Sequence, residues 1–122
     1  MIDFLSTRPT TNADDAACSR LFAAVIAQAI WDATKAPNAA EKAGEANELT
    51  MDPDAFSALR FLFGKRSVFP LYAEFIGADP RDIRRALVEG NPKVQSEIGR
   101  RNWRAMRARL RMMNINVEDS LK

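Results

Sequence analysis

The sequence predicts an all-α protein, a compact bundle of about five helices. Three observations carry this. Apolar residues recur at spacings of three and four through much of the chain. A capping Asp or Asn followed by proline, the punctuation that starts a helix, occurs at Asp52-Pro53, Asp79-Pro80 and Asn91-Pro92. No alternating apolar run is bounded by hairpin signals. With 122 residues and 47% apolar composition the chain fits one domain with a modest core, and 28% charged residues argue against wholesale disorder.

Residues 1–12 read as a flexible arm. Thr11 or Asn12 can cap a first helix whose opening turn holds Asp14 and Asp15, favourably placed at the positive end of the helix dipole. That helix runs to about Lys35. Leu21, Val25, Ala29 and Phe22, Ile26, Ile30 make two adjacent apolar rows, which predicts cover on more than one side and a central place in the core. Trp31 reads as a core residue ahead of an exposed partner contact, and Cys18 as packing rather than chemistry. Ala36-Pro37-Asn38 stops the helix. The alanine-rich, charged stretch AAEKAGEANELT that follows has helix formers but no strong apolar face, so a short, poorly anchored helix or a mobile loop is expected.

After Asp52-Pro53, Phe56, Leu59 and Phe63 follow at helical spacing with Ala55 and Leu62 alongside, and Gly64 closes the element. Lys65 and Arg66 lie in the next connection. Residues 69–88, FPLYAEFIGADPRDIRRALV, then read as two short helices meeting at a tight turn. Tyr72 and Ile76 share a face beside the small Ala73. Gly77 suits the left-handed exit of the first helix, Asp79 caps the second, and Pro80 takes its first position. At about 100° per residue, Ile83, Ala86 and Leu87 fall on one side of the second helix and Arg81, Arg84 and Arg85 on the other.

Glu89-Gly90-Asn91-Pro92 makes another break, and a last long helix is predicted from about Lys93 to Met113. Trp103, Met106, Leu110 and Met113 share its dry face, while Arg100, Arg104, Arg107 and Arg111 form a separate stripe, with Arg101 and Arg109 outside it. Gly99 costs about 1 kcal/mol relative to alanine inside a helix, which predicts a kink there, with Asn102 able to restart the helix. No acidic residue appears from Asn102 to Asn114, unlike a solubilising face that mixes its charges. Residues 114–122 read as a tail or linker, leaving residues 13–113 as the domain.

Charge is polarised along the chain. Residues 1–80 carry a net −4, residues 81–111 a net +7 and the rest −1, within a total of +2. A basic segment on a mildly acidic body is the footprint expected of a protein that docks a phosphate backbone in one orientation. Chemistry, by contrast, is missing. The chain has one cysteine and no histidine, so no disulfide, zinc ligand set or imidazole base is expected, and neither GxGxxG nor a P-loop occurs. An enzyme, a metal site and a cofactor are therefore not expected. The uncharged apolar run Leu21 to Trp31 has 11 residues, short of the roughly 20 that span a bilayer, and MIDFLSTRP carries an acid and a proline where a signal peptide is apolar. The expected location is cytoplasmic.

The 69–88 segment resembles the helix-turn-helix family of DNA-binding proteins: the family's small residue falls on Ala73, its turn glycine on Gly77 and its buried aliphatic on Ile83, with apolar residues also at Tyr72, Ile76, Ala78 and Ala86. The resemblance implies double-stranded DNA as partner, with the second helix in a major groove. Arg81, Arg84 and Arg85 would then meet base edges, and Lys65, Arg66, Arg100, Arg104, Arg107 and Arg111 would hold phosphates. RLFAAVIAQAIWDA, AFSALRFLFG and FIGADPRDIRRAL, taken in order, also look like the small DNA-binding regulators of phages, prophages and the gene transfer agents of alphaproteobacteria, of the GafA or GafY kind. That likeness implies a transcription regulator, an activator of phage-like genes that works with RNA polymerase or a companion regulator. A homodimer would suit paired half-sites, although no heptad zipper is visible. The competing class is a protein-interaction adaptor that presents the arginine stripe to an acidic partner or to RNA polymerase without touching DNA. RNA ranks third, because the basic face lacks aromatic platforms and no RNP or GXXG signature occurs.

Overall fold

The computed structural model describes residues 13–121, and among these helices alternate with short turns and no strand occurs. The predicted arm, Thr11 and Asn12 lie outside the described residues. Among the described residues there are eight helices where about five are expected: α1 (Ala13–Ala33), α2 (Ala39–Lys42), α3 (Pro53–Phe63), α4 (Phe69–Phe75), α5 (Pro80–Glu89), α6 (Pro92–Ile98), α7 (Arg100–Met112) and α8 (Val117–Ser120). The extra ones arise where local capping chemistry closes a single turn or breaks a longer helix.

Each cap-plus-proline signal starts a helix. Asp52 accepts a hydrogen bond from the Ala55 N–H, Asp79 from the Arg81 N–H and Asn91 from the Val94 N–H, and Pro53, Pro80 and Pro92 follow where no donor is needed. The turn after α4 is made at Gly77, whose φ of +80° lets the Ala78 N–H reach back to the Ala73 carbonyl and its own N–H to Glu74.

Gly99 does more than kink the last helix. Its φ of +95° ends α6, and α7 begins at the next residue. The prediction of one helix from Lys93 to Met113 is thereby corrected.

The core is shared by every long element. Ile26 and Ile30 of α1, Leu59 and Leu62 of α3, Phe69 and Ile76 at either end of α4, Leu87 of α5, Val94 of α6, and Met106 and Leu110 of α7 are all buried. α1 packs chiefly on α3 and α4. Phe22 stacks on Tyr72 at 4.5 Å between ring centres and meets Phe75 edge-on at 4.9 Å, and Phe61 bridges Phe69 and Tyr72.

Two expectations about α1 fail. Only the Phe22, Ile26, Ile30 side, with Ala29 and Ala33, faces the core; Leu21, Val25 and Trp31 are exposed. Periodicity shows which positions of a helix are apolar, but not how many neighbours cover them. In addition, residues Ala16–Ala33 are long and apolar enough to cross a membrane by length and composition, because Arg20 and Asp32 do not offset the alanines and aliphatics between them.

The stretch after Pro37 is better anchored than expected. Asn38 and Glu41 form a reciprocal capping box around α2, and the Asn38 amide donates to the Thr50 carbonyl, closing the loop on itself. The chain after Met113 also stays on the body rather than leaving as a tail. Asn114 takes a left-handed turn with φ of +54°, Ile115 and Val117 pack against the core, and α8 lies beside α5.

Candidate nucleic-acid interface

The α4–turn–α5 unit is held from behind by Ile83, Leu87 and Val88, all buried. Val88 extends the buried side of α5 beyond Ile83, Ala86 and Leu87, and its burial decides the place of Arg84. Val88 lies about 140° round the helix from Ile83, so the buried arc extends past Leu87, and Arg84 falls inside it. Arg84 is half-buried: its Nε donates to the Leu62 carbonyl at 2.7 Å and its guanidinium lies 5.2 Å from the centre of the Phe69 ring. Loss of solvation pulls its pKa below the ordinary arginine value. The structure therefore ties Arg84 to α3 and α4 and separates it from the other two arginines.

Arg81 and Arg85 do face outward, with side chains 56% and 50% exposed. Arg81 bends back to its own cap, where its Nη2 stands 3.2 Å from the Asp79 carboxylate. Hydrogen bonds from the Arg81 guanidinium and backbone hold the Asp79 carboxyl below its usual range, and Asp79 in turn raises Arg81. Arg85 reaches Asp82 at 3.9 Å. The outward arc of α5 thus carries Asp82 and Glu89 beside its two exposed arginines.

The far end of α5 is clamped by α7. The Trp103 indole N–H donates to the Leu87 carbonyl at 2.7 Å, and Arg107 donates to the Val88 carbonyl at 2.8 Å while lying over the Trp103 ring. These two side chains satisfy carbonyls that the last turn of a helix leaves without intrahelical donors. Gly90 closes the end with φ of +57°, directly against the indole, and Gln95 caps its carbonyl. The helix cannot roll without breaking this clamp.

Of the remaining predicted cations, Lys65 and Arg66 are exposed in the turn before α4, which Ser67 fastens by donating to the Phe61 carbonyl and accepting from the Phe69 N–H. Arg100, Arg104 and Arg111 are exposed along the α7 stripe. Arg107 belongs to that stripe by spacing but is committed to α5.

Arg109, outside the arginine stripe, is fully buried. It grips Glu41 with hydrogen bonds of 2.6 and 3.0 Å and donates to the carbonyls of Ala33, Lys35 and Ala36, so one side chain fastens α7 to the end of α1 and to α2. The only sequence sign was its position outside the stripe.

Between α7 and the α2 loop runs an open groove with an apolar floor of Ala105, Ala108 and Met112 and with Lys42, Arg101 and Arg104 along it. No group of three or more histidine, cysteine or carboxylate side chains suited to a metal occurs among the described residues. No known protein family, curated protein or solved structure matches the chain.

Proposed function

We propose that the chain binds double-stranded DNA through a helix-turn-helix formed by α4 and α5, and acts as a transcription regulator. One observation carries the reading: α5 is a helix capped at its start, clamped at its end and packed from behind, with Arg81 and Arg85 on the side turned away from the core. A rigid rod of this kind suits a major groove, where a bidentate arginine reads guanine. Lys65 and Arg66 beside α4, and Arg100, Arg104 and Arg111 on α7, are the proposed phosphate contacts. Arg84 and Arg107 serve in this reading as scaffold. Activation of phage-like genes together with RNA polymerase is the regulatory role that the sequence resemblance suggests.

The experiment is a binding titration against salt on an enriched duplex and a scrambled one. Arg85→Ala should cost about 1–3 kcal/mol on the enriched duplex and narrow the gap between the two, whereas Arg104→Ala should weaken both alike and reduce the salt slope by about one. Equal, sequence-independent losses for both variants would remove the groove assignment. The groove lined by Lys42, Arg101 and Arg104 favours one second reading, an adaptor for an acidic protein partner. Absence of any salt-sensitive DNA binding would leave that reading in place.

A further inference from the structure

The groove between α7 and the α2 loop is held open by a buried ion pair. Arg109 leaves the inner side of α7 and grips Glu41 on α2, so the two walls are tied together from behind and the space between them is preformed. Arg101, Ala105, Ala108 and Met112 recur at steps of four, three and four and form one stripe of α7, about 16 Å long at 1.5 Å per residue. The space in front of it measures about 440 Å³, a size typical of ligand sites. Its floor is methyl groups and a thioether. Lys42, Arg101 and Arg104 stand round it, all exposed and none in an ion pair among the described residues. The one carboxylate lining the groove among those residues, Glu41, gives both oxygens to Arg109. Three cations therefore surround an apolar floor with no lining anion left to offset them.

We propose that the α2–α7 groove receives an acidic amphipathic helix of a partner protein, with its apolar face on Ala105, Ala108 and Met112 and its carboxylates on Lys42, Arg101 and Arg104. Charge and shape together set this occupant. Like charges gathered round one opening repel each other, and an acidic ligand relieves that repulsion as it binds. A phosphate backbone would satisfy the cations but gain nothing from the floor, whereas a helix with apolar residues three and four apart uses both. The small side chains at Ala105 and Ala108 let such a helix lie close to α7. An extended peptide is less well served, because no strand among the described residues offers it an edge to pair with. The proposal rests on the second reading, of an acidic protein partner, and gives that partner its site and its form. DNA binding by α5 can hold or fail without it.

The test selects a phage-displayed library of random peptides, about 16 residues long so that a helix can form, on the full chain at low salt. Enriched sequences should carry apolar residues three and four apart with Asp and Glu between them. For the best of them, made as a labelled synthetic peptide, Met112→Gln should weaken binding about fivefold. Lys42→Gln should weaken it about two- to fivefold and flatten its dependence on salt. Both changes keep a good helix former, so the circular dichroism spectrum should not move. Neither residue is a proposed DNA contact; Arg104 is one, and is left unchanged. Lys93→Gln, at an exposed cation of α6 outside the groove, should leave peptide binding intact. Acidic peptides whose binding ignores Met112 and Lys42 would overturn the groove while leaving an acidic partner. Enrichment of neutral or basic peptides only, or of none, would overturn both. Duplex DNA that displaces the peptide and is itself weakened by Met112→Gln would assign the groove to nucleic acid instead.

Discussion

Arg109 and Glu41, 68 residues apart in sequence, form a buried two-bonded ion pair, with 0% and 7% of their side chains exposed. Every guanidinium nitrogen finds an acceptor, which is the condition under which a buried charge is tolerable. Removing one partner strands the other, so Arg109→Met should cost about 3–5 kcal/mol in urea unfolding, and adding Glu41→Leu to it should recover most of the loss. Burial pushes the Glu41 carboxyl up, but the hydrogen bonds and charge of Arg109 and the Asn38 N–H outweigh it and hold its pKa below the ordinary 4.5. A carboxylate depressed in the folded state contributes stability above its unfolded pKa and loses it as pH falls through the folded value. The stability gap between the native chain and Glu41→Gln should therefore be full at neutral pH and close progressively below about pH 4.5; a gap independent of pH would contradict this.

The clamp on α5 gives a second expectation. Trp103→Phe removes the indole N–H and trims the ring, leaving the Leu87 carbonyl without its donor, a loss of at least about 1–3 kcal/mol. Gly90→Ala should cost more, since the backbone there is left-handed and a methyl group would collide with the same indole. Chemical denaturation of both variants checks the order, and hydrogen exchange should localise the loosening to the last turn of α5.

The parts of this fold that were legible in the sequence are those decided within a few residues. Asp52, Asp79 and Asn91 cap the helices their prolines announce, and Gly77 makes the exit its position suggests. What escaped was settled by distant chain. Arg109 looks like any arginine on a basic helix until Glu41 is brought to it. Trp31 looks like core because its surroundings are apolar, but among the described residues its side of α1 is left 63% exposed at that position. For the site, helical spacing puts Arg81 and Arg85 on the outward face, where they lie, whereas Arg84 falls on that face only if Val88 is left out of the apolar arc. An arc drawn through Ile83, Leu87 and Val88 contains Arg84 without any coordinates.

That difference separates Arg84 from Arg85 in experiment. Arg84→Ala removes the donor to the Leu62 carbonyl and the packing on Phe69, so it should lower stability by about 1–3 kcal/mol. Its effect on DNA should follow the fraction folded. Arg85→Ala touches only solvent and a long contact to Asp82, so stability should stay within about 0.5 kcal/mol while DNA affinity falls. Thermal melts and binding isotherms on the same two preparations give the comparison, and a stable Arg84→Ala variant with selective loss of DNA binding would reverse the assignment of scaffold and contact.

The Asp79–Arg81 pair allows a gain-of-function test, which is harder to obtain by accident than a loss. Asp79 caps α5 through the Arg81 N–H and also holds the Arg81 guanidinium. Asparagine caps a helix about as well as aspartate but carries no charge. Asp79→Asn should therefore leave the melting temperature close to that of the native chain, release Arg81 and remove one anion from the face offered to DNA. If Arg81 meets a groove, affinity should rise and its dependence on salt should steepen, because one more unpaired cation is available to displace counterions. An unchanged isotherm at an unchanged melting temperature would place Arg81 away from the DNA, and the groove contact would then rest on Arg85 alone.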